Sequence, residues 1–218
     1  MKIILTGATG MVGEGILMEC LENPNIFEIL SVSRKPSEKK HAKLKEYLVP
    51  DFLKISLNDE NFKGYDACFF CAGISSVGMS EVDYTKITYD TTLHFANTVL
   101  NQNPESTFNF VSGVHTDTSE KGRFMWARVK GKTENDLQKL GFKGVYNFRP
   151  GFMKPVEGQK NVKTLFKPLI WLYPLILPSK TLSLHQVGEA MINVVQKGYQ
   201  KSVLEIEDIK NLANKSKI

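Results

Sequence analysis

The chain has 218 residues, 42% of them hydrophobic and 23% charged, which supports one domain with a real core and excludes a disordered or fibrous chain. The net charge of +5 is mild, and much of the basic excess lies in Lys35 to Lys45 (KPSEKKHAKLK), where no aromatic residue interleaves before Tyr47; this reads as a solvated helix face, and no nucleic-acid partner is expected. Three cysteines, and an apolar stretch in IILTGATG too short for a signal peptide, argue against a disulfide-built secreted domain and for a cytoplasmic chain with reduced thiols.

In chain order, KIILT (2–6) reads as a strand, followed by a helix from Met11 to Leu21 that stops before Asn23-Pro24. FEILSVS (27–33), FLKIS (52–56) and ACFFCA (67–72) read as further strands. Cys68 and Cys71 form a C-x-x-C, but three residues apart on a strand they point to opposite faces, so core packing is expected and no metal site. A long helix begins near Ser80, where Ser80 and Asp83 resemble a capping box, and runs through Ile87, Thr91, Phe95 and Val99. TFNFVS (107–112), a helix from about Gly122 to Leu140, GVYNFR (144–149) and a helix from His185 to Lys197 complete the series, with Gly141 and Gly198 closing the two helices.

Alternating strands and helices, with strands that are continuous apolar runs, predict an α/β fold: a doubly wound parallel sheet with helices on both faces. The whole of 1–218 is expected as one such domain, with 151–181 as a small irregular substrate or lid region. Within it, LFKPLIWLYPLILP (165–178) carries three prolines and is too short and broken to span a bilayer. It fits a substrate lid, a homodimer or protein-partner surface, a membrane-touching patch, or plain packing over the sheet edge.

LTGATGMVGEG joins the first strand to the first helix. Gly7 permits a tight turn, Gly10 lets the backbone approach a pyrophosphate, and Gly13 lets helix and strand pack closely, while the helix N-terminus offers unpaired N–H groups. In this strand–turn–helix setting the pattern predicts a dinucleotide site. An acid about 20 residues further on would favour NAD(H). This chain has Ser33-Arg34-Lys35 there instead, and a guanidinium grips a 2′-phosphate, with Ser33 as a further donor, so NADP(H) is expected ahead of NAD(H).

With these residues in view, the chain resembles the short-chain dehydrogenase/reductase superfamily, in particular its extended or atypical epimerase-like members, and is most similar to the Tat-interacting-protein branch. TGATGMVG is similar to that family's cofactor signature, CAGISS to its fourth-strand motif, and RPGF (149–152) to the segment beside the nicotinamide. The resemblance implies cofactor contacts from Gly7, Thr9, Gly10, Met11, Val12 and Gly13. It adds Ser33, Arg34 and Lys35 after the second strand and Cys71, Ala72 and Gly73 after the fourth. Pro150, Gly151 and Phe152 complete the set, together with Lys130. Ser112 falls where the family's catalytic serine lies, and Trp126 and Lys130 match the spacing of its Y-x-x-x-K. Where relatives carry an acid at the end of the third strand, near the adenine, this chain is expected to have Ser56-Leu57.

Trp126 is the departure with chemical weight. In the family mechanism the tyrosine hydroxyl passes a proton, the lysine lowers its pKa and holds the ribose, and the serine orients the substrate oxygen. An indole N–H donates a hydrogen bond but exchanges no proton near neutral pH. His115, three residues past Ser112, has an imidazole suited to the task. Tyr84 and Tyr89 face the same region but read as packing residues. Two functions follow: an NADP(H)-dependent oxidoreductase or epimerase-like enzyme on a small carbonyl or hydroxyl compound, with Ser112, Lys130 and His115 as catalytic residues, or a non-catalytic NADP(H)-binding regulatory protein.

Overall fold

A computed structural model describes residues 1–162 and 181–214. Its central sheet is wholly parallel. β1 (Lys2–Thr6) pairs on one side with β2 (Glu28–Ser33) and on the other with β4 (Ala67–Phe70). β3 (Leu44–Leu48), β5 (Thr107–Val111), β6 (Gly144–Phe148) and β9 (Val203–Leu204) complete the order β3-β2-β1-β4-β5-β6-β9. A second, two-stranded sheet pairs β7 (Phe152–Lys154) with β8 (Thr181–Ser183). Parallel strands covered on both faces need apolar side chains on both, and the core divides accordingly. Ile3, Leu5, Ala67 and Phe69 pack toward α1 (Met11–Glu22), α5 (Leu184–Lys197) and α6 (Ile206–Asn214). Their neighbours Ile4, Cys68 and Phe70 face the other way, toward α3 (Thr91–Gln102) and α4 (Met125–Leu137), among Phe95, Phe108 and Phe110. Cys68 and Cys71 lie on opposite sides of the sheet, and both are free.

The helix expected from Ser80 is present, and Ser80 Oγ accepts from the Asp83 N–H. It runs as α2 (Glu81–Thr85), one π-helical turn (Lys86–Asp90) and α3. Tyr84 is buried, and the Tyr89 hydroxyl donates to Asp136 on α4, so both tyrosines serve packing. α4 begins three residues later than expected because Asp117 holds the loop before it, accepting from Ser119 and Gly122 N–H groups.

The third strand is where sequence and structure part. FLKIS is not a strand: Phe52–Lys54 is a 3-10 turn capped by Asp51, whose carboxylate accepts from the Leu53 N–H, and Phe52 stacks on Phe95 at 5.3 Å. β3 is instead LKEYL, and the stretch before it is loop rather than helix. As an edge strand it buries little and carries Lys45 and Glu46 outward, which disguised it as part of a charged helix face. The end of the third strand is therefore Leu48, with Asp51 the next acid beyond it, and Ser56-Leu57 occupies no strand end. β7, β8 and β9, two or three residues each, were too short for any periodicity to betray. α6 was legible in principle, since Ile209, Leu212 and Ala213 are buried at helical spacing. The expectations attached to 165–178 lie outside the described residues.

α1 and α5 touch closely because Gly188 lets them: a β-carbon there would stand 2.7 Å from Glu19 Cγ. One turn away His185 Nδ1 bonds the Glu19 carboxylate, with Glu189 Oε2 3.9 Å from Nε2. Burial pulls the His185 pKa down, but Glu19, Glu189 and Glu22 outweigh it and raise it above the ordinary value. A raised histidine pKa gives stability that is full below about pH 6.5 and lost as pH rises through the folded-state value. His185→Ala is expected to lower Tm more at about pH 6 than at about pH 9 in thermal melts. Equal losses at both would mean that the contact is packing alone.

Candidate cofactor and active site

The strand order reverses between β1 and β4, and in open α/β sheets the crevice at such a switch, beyond the strands' C-terminal ends, is where ligands bind. The glycine turn sits there. Gly7 has φ +76°, which L side chains rarely adopt, and a β-carbon on it would lie 2.7 Å from the Cys71 carbonyl. A β-carbon on Gly13 would lie 2.1 Å from the Gly7 oxygen, so α1 starts in contact with the strand end. Gly10 caps the helix, its N–H donating to the Gly7 carbonyl. The amides of Met11, Val12 and Gly13 are those that a helix leaves without internal partners, and they suit a diphosphate. Across the crevice, Cys71 and Ala72 N–H both donate to Thr6 Oγ1, and a β-carbon on Gly73 would meet nothing within 4 Å. Buried Thr6, the tie between the two strand ends, was not singled out from sequence. The residues present fit a dinucleotide.

At the end of β2 Arg34 and Lys35 are exposed, while Ser33 is buried and its hydroxyl donates to the Lys35 carbonyl at 2.6 Å. That hydroxyl has one proton, so in this arrangement Ser33 accepts and does not donate.

Ser112 and Lys130 are brought together by the loop 113–122. A β-carbon on Gly131 would lie 1.8 Å from the Asp117 carbonyl, so the absence of a side chain there lets the loop lie flat on α4. Asp117 N–H donates to the Ala127 carbonyl, and Asn135 donates to the Thr118 carbonyl, fixing it. Ser112 is buried with its Oγ 3.0 Å from Thr116 Oγ1. Thr116 gives its own proton to the Gly113 carbonyl at 2.8 Å, so Ser112 is the donor of that pair and its lone pairs remain available. Thr116 carried no sequence signal. Lys130 Nζ donates to the Val111 and Ser112 carbonyls at 3.3 and 3.2 Å and lies 5.5 Å from the Phe110 ring centroid, with one N–H to spare. Burial lowers its pKa to about 8, and Glu134 resists only in part. Trp126 is half-buried one turn before it. His115 is exposed, in the left-handed region at φ 66°.

The RPGF segment leaves β6 nearby. Arg149 is bound by the buried Glu134 through Nε and Nη2 and by Glu205 through Nη1 at 3.2 Å, so it ties β6, α4 and the start of α6 together. Pro150 is buried, and Gly151 and Phe152 are half-buried, Phe152 being paired to Thr181 in the small sheet.

Residues 3–133 match the model of the NAD dependent epimerase/dehydratase family. The chain is 27% identical over 166 residues to "Protein fmp52, mitochondrial" of Emericella nidulans, covering 73% of this chain and 68% of that protein. It is 25% identical over 155 residues to "Protein HTATIP2" of Rattus norvegicus, 70% of this chain and 62% of that protein. Among solved structures, a UDP-N-acetylglucosamine 4-epimerase from Methanobrevibacter ruminantium superposes with TM-score 0.69 at 15% identity, over 94% of this chain and 75% of its own. The enzyme WbmH of Bordetella bronchiseptica, in complex with NAD+, also gives 0.69 at 15% identity, over 94% and 74%. The oxidoreductase ylbE of Lactococcus lactis gives 0.67 at 15% identity, over 98% and 97%. Among the described residues no helix is long and apolar enough to cross a membrane.

The lowered Lys130 pKa has a thermodynamic sign. The folded chain gives up this proton near pH 8, the unfolded chain only near its ordinary value of about 10.4. Between the two the unfolded state holds more protons, so stability rises with pH there and charged Lys130 is a cost at neutrality. In thermal melts, wild type is expected to gain Tm relative to Lys130→Met between about pH 7 and about pH 9.5. Parallel curves would show that the ammonium is not desolvated.

Proposed function

Because the chain belongs to the NAD-dependent epimerase/dehydratase family, we propose that it is an NADP(H)-binding oxidoreductase or epimerase-like enzyme acting on a small carbonyl or hydroxyl compound. The observation that carries this reading is the juxtaposition at the C-terminal ends of neighbouring strands: a glycine turn after β1 in which Gly7 and Gly13 pack too closely for a side chain, and Ser112 with Lys130 after β5. The dinucleotide, when bound, supplies or accepts a hydride. The chain does the rest. First-turn amides of α1 hold the diphosphate, Arg34 and Lys35 pair with the 2′-phosphate, and the remaining N–H of Lys130 reaches ribose hydroxyls.

Ser112, its own proton committed to Thr116, accepts from a substrate hydroxyl as it stands, and orients a carbonyl only after turning away from Thr116. Trp126 offers only an N–H, so proton transfer falls to His115 or to water beside Ser112. A reducing compartment belongs to the same reading, since Cys20, Cys68 and Cys71 are all free, and the cytoplasm is the one we propose. Trp126 favours one second reading, a protein that binds NADP(H) without turnover and signals its occupancy to a partner.

Two experiments test this. Arg34→Ala is expected to weaken NADPH binding in calorimetric titration by about tenfold, the scale of one charge-assisted pair, while NADH is little changed; an unchanged NADPH affinity overturns the 2′-phosphate assignment. In a carbonyl panel with NADPH, Trp126→Tyr is expected to raise turnover by about a hundredfold or more, as a positioned acid does. Turnover only in the variant would establish the binding-only reading for the natural chain. Turnover equal in both would mean that the proton comes from elsewhere.

A further inference from the structure

The Ser33 hydroxyl is engaged by the Lys35 carbonyl, and the cations at the end of β2 are Arg34 and Lys35, both exposed. A third cation comes from further along the same loop. The chain turns at Glu38, φ 60°, and Lys39 folds back over the first turns of α1, its Nζ 3.4 Å from Glu14 Oε1. Lys39's side chain is 23% exposed, against 62% for Lys45 in the same charged run. Lys43, in the same run, is also held, but at the far end of α1, where its Nζ donates to the Leu21 and Asn23 carbonyls; Lys39 is the lysine of the run held at the helix's first turns.

The holding group is unusual in its own right. Glu14 follows Gly13 directly, lies four residues into the phosphate-side end of α1, and its side chain is 2% exposed. A buried carboxylate needs partners, and it has them. Lys160 N–H donates to both of its oxygens at 3.0 and 3.1 Å, and Asn161 N–H to one at 2.7 Å. Burial alone would push the Glu14 carboxyl up, but these N–H groups and Lys39 outweigh it and hold the carboxyl below its ordinary value, so it is an anion at neutral pH. Because the backbone donors already satisfy Glu14, the ammonium, at 3.4 Å, keeps N–H groups for another acceptor. Gln159 adds a separate tie, donating to the Met11 carbonyl at 2.7 Å. The arrangement fixes a lysine beside the helix end whose amides suit phosphate.

We propose that Lys39 is a selectivity residue for the phosphorylated ribose of NADP(H), and that Glu14 is the positioning residue that holds it there. The inference rests on the NADP(H) reading above and deepens it. A 2′-phosphate gains a charge-assisted bond from Lys39, and a 2′-hydroxyl gains far less, so Lys39 acts on the ratio of the two affinities.

The test is calorimetric titration of NADPH and NADH, separately, into wild type, Lys39→Ala, Lys39→Arg and Glu14→Gln, with a thermal melt of each. Lys39→Ala is expected to weaken NADPH by about tenfold and NADH by less than about twofold. Lys39→Arg is expected to keep the preference, and Glu14→Gln to lower it in the same direction as Lys39→Ala. Should Glu14→Gln fail to fold, Lys39→Ala decides alone, since its side chain lies on a loop. If Lys39→Ala weakens both dinucleotides equally, or neither, this inference is overturned while the cofactor reading stands. If wild type binds neither dinucleotide, the cofactor reading falls and this one with it.

Discussion

A β-carbon on residue 13 would stand 2.1 Å from the Gly7 oxygen, and one on residue 7 would stand 2.7 Å from the Cys71 carbonyl. Those two distances govern the rest. They set the start of α1 against the ends of β1 and β4, at the point where the sheet order reverses, and so aim the helix's free amides into the crevice. The same device recurs at the other helices that frame the site. Gly131 lets the loop after β5 lie on α4, and Gly188 lets α5 lie on α1. At Gly13, Gly131 and Gly188 the missing side chain belongs to a helix, and the space it leaves is filled by backbone or a side chain from elsewhere in the chain. Thr6 completes the arrangement from beneath, accepting two N–H groups from β4's exit.

What could be read from sequence follows from this. The glycine turn, the buried parallel strands and the Ser112–Lys130 spacing announce themselves, because close packing and periodicity constrain residue type at those positions. β3 did not, because an edge strand is half solvated and LKEYL satisfies water as readily as the sheet. FLKIS misled for the complementary reason: Ile55 is buried and half-buried Phe52 stacks on Phe95 from a capped turn, which needs hydrophobicity without a strand's geometry. Within the site, Thr116, Glu14 and Lys39 were silent. Their roles depend on hydrogen-bond partners far off in sequence or on which hydroxyl owns which proton, and no residue pattern records that. Glu14 left a faint trace as an acid in the first turn of a helix expected to receive an anion.

Lys130 and Ser112 show the local cost of building such a site. An ammonium wedged against two carbonyls and a phenyl ring is poorly hydrated, and the fold tolerates it with Glu134 as the nearest counter-charge. Glu134 is meanwhile engaged by Arg149, so the charge that steadies Lys130 also links α4 to β6 and, through Glu205, to the start of α6. Ser112 spends its proton on Thr116.

The partnership of α1 and α5 has a consequence for how the protein is made. Ile16, Leu17 and Cys20 are shielded by Val187, Met191 and Val194, which belong to a helix near the other end of the chain. On the ribosome α1 emerges early and then waits on the order of ten seconds for its cover. Throughout that interval the apolar face that α1 turns to α5 in the finished fold is still without that cover.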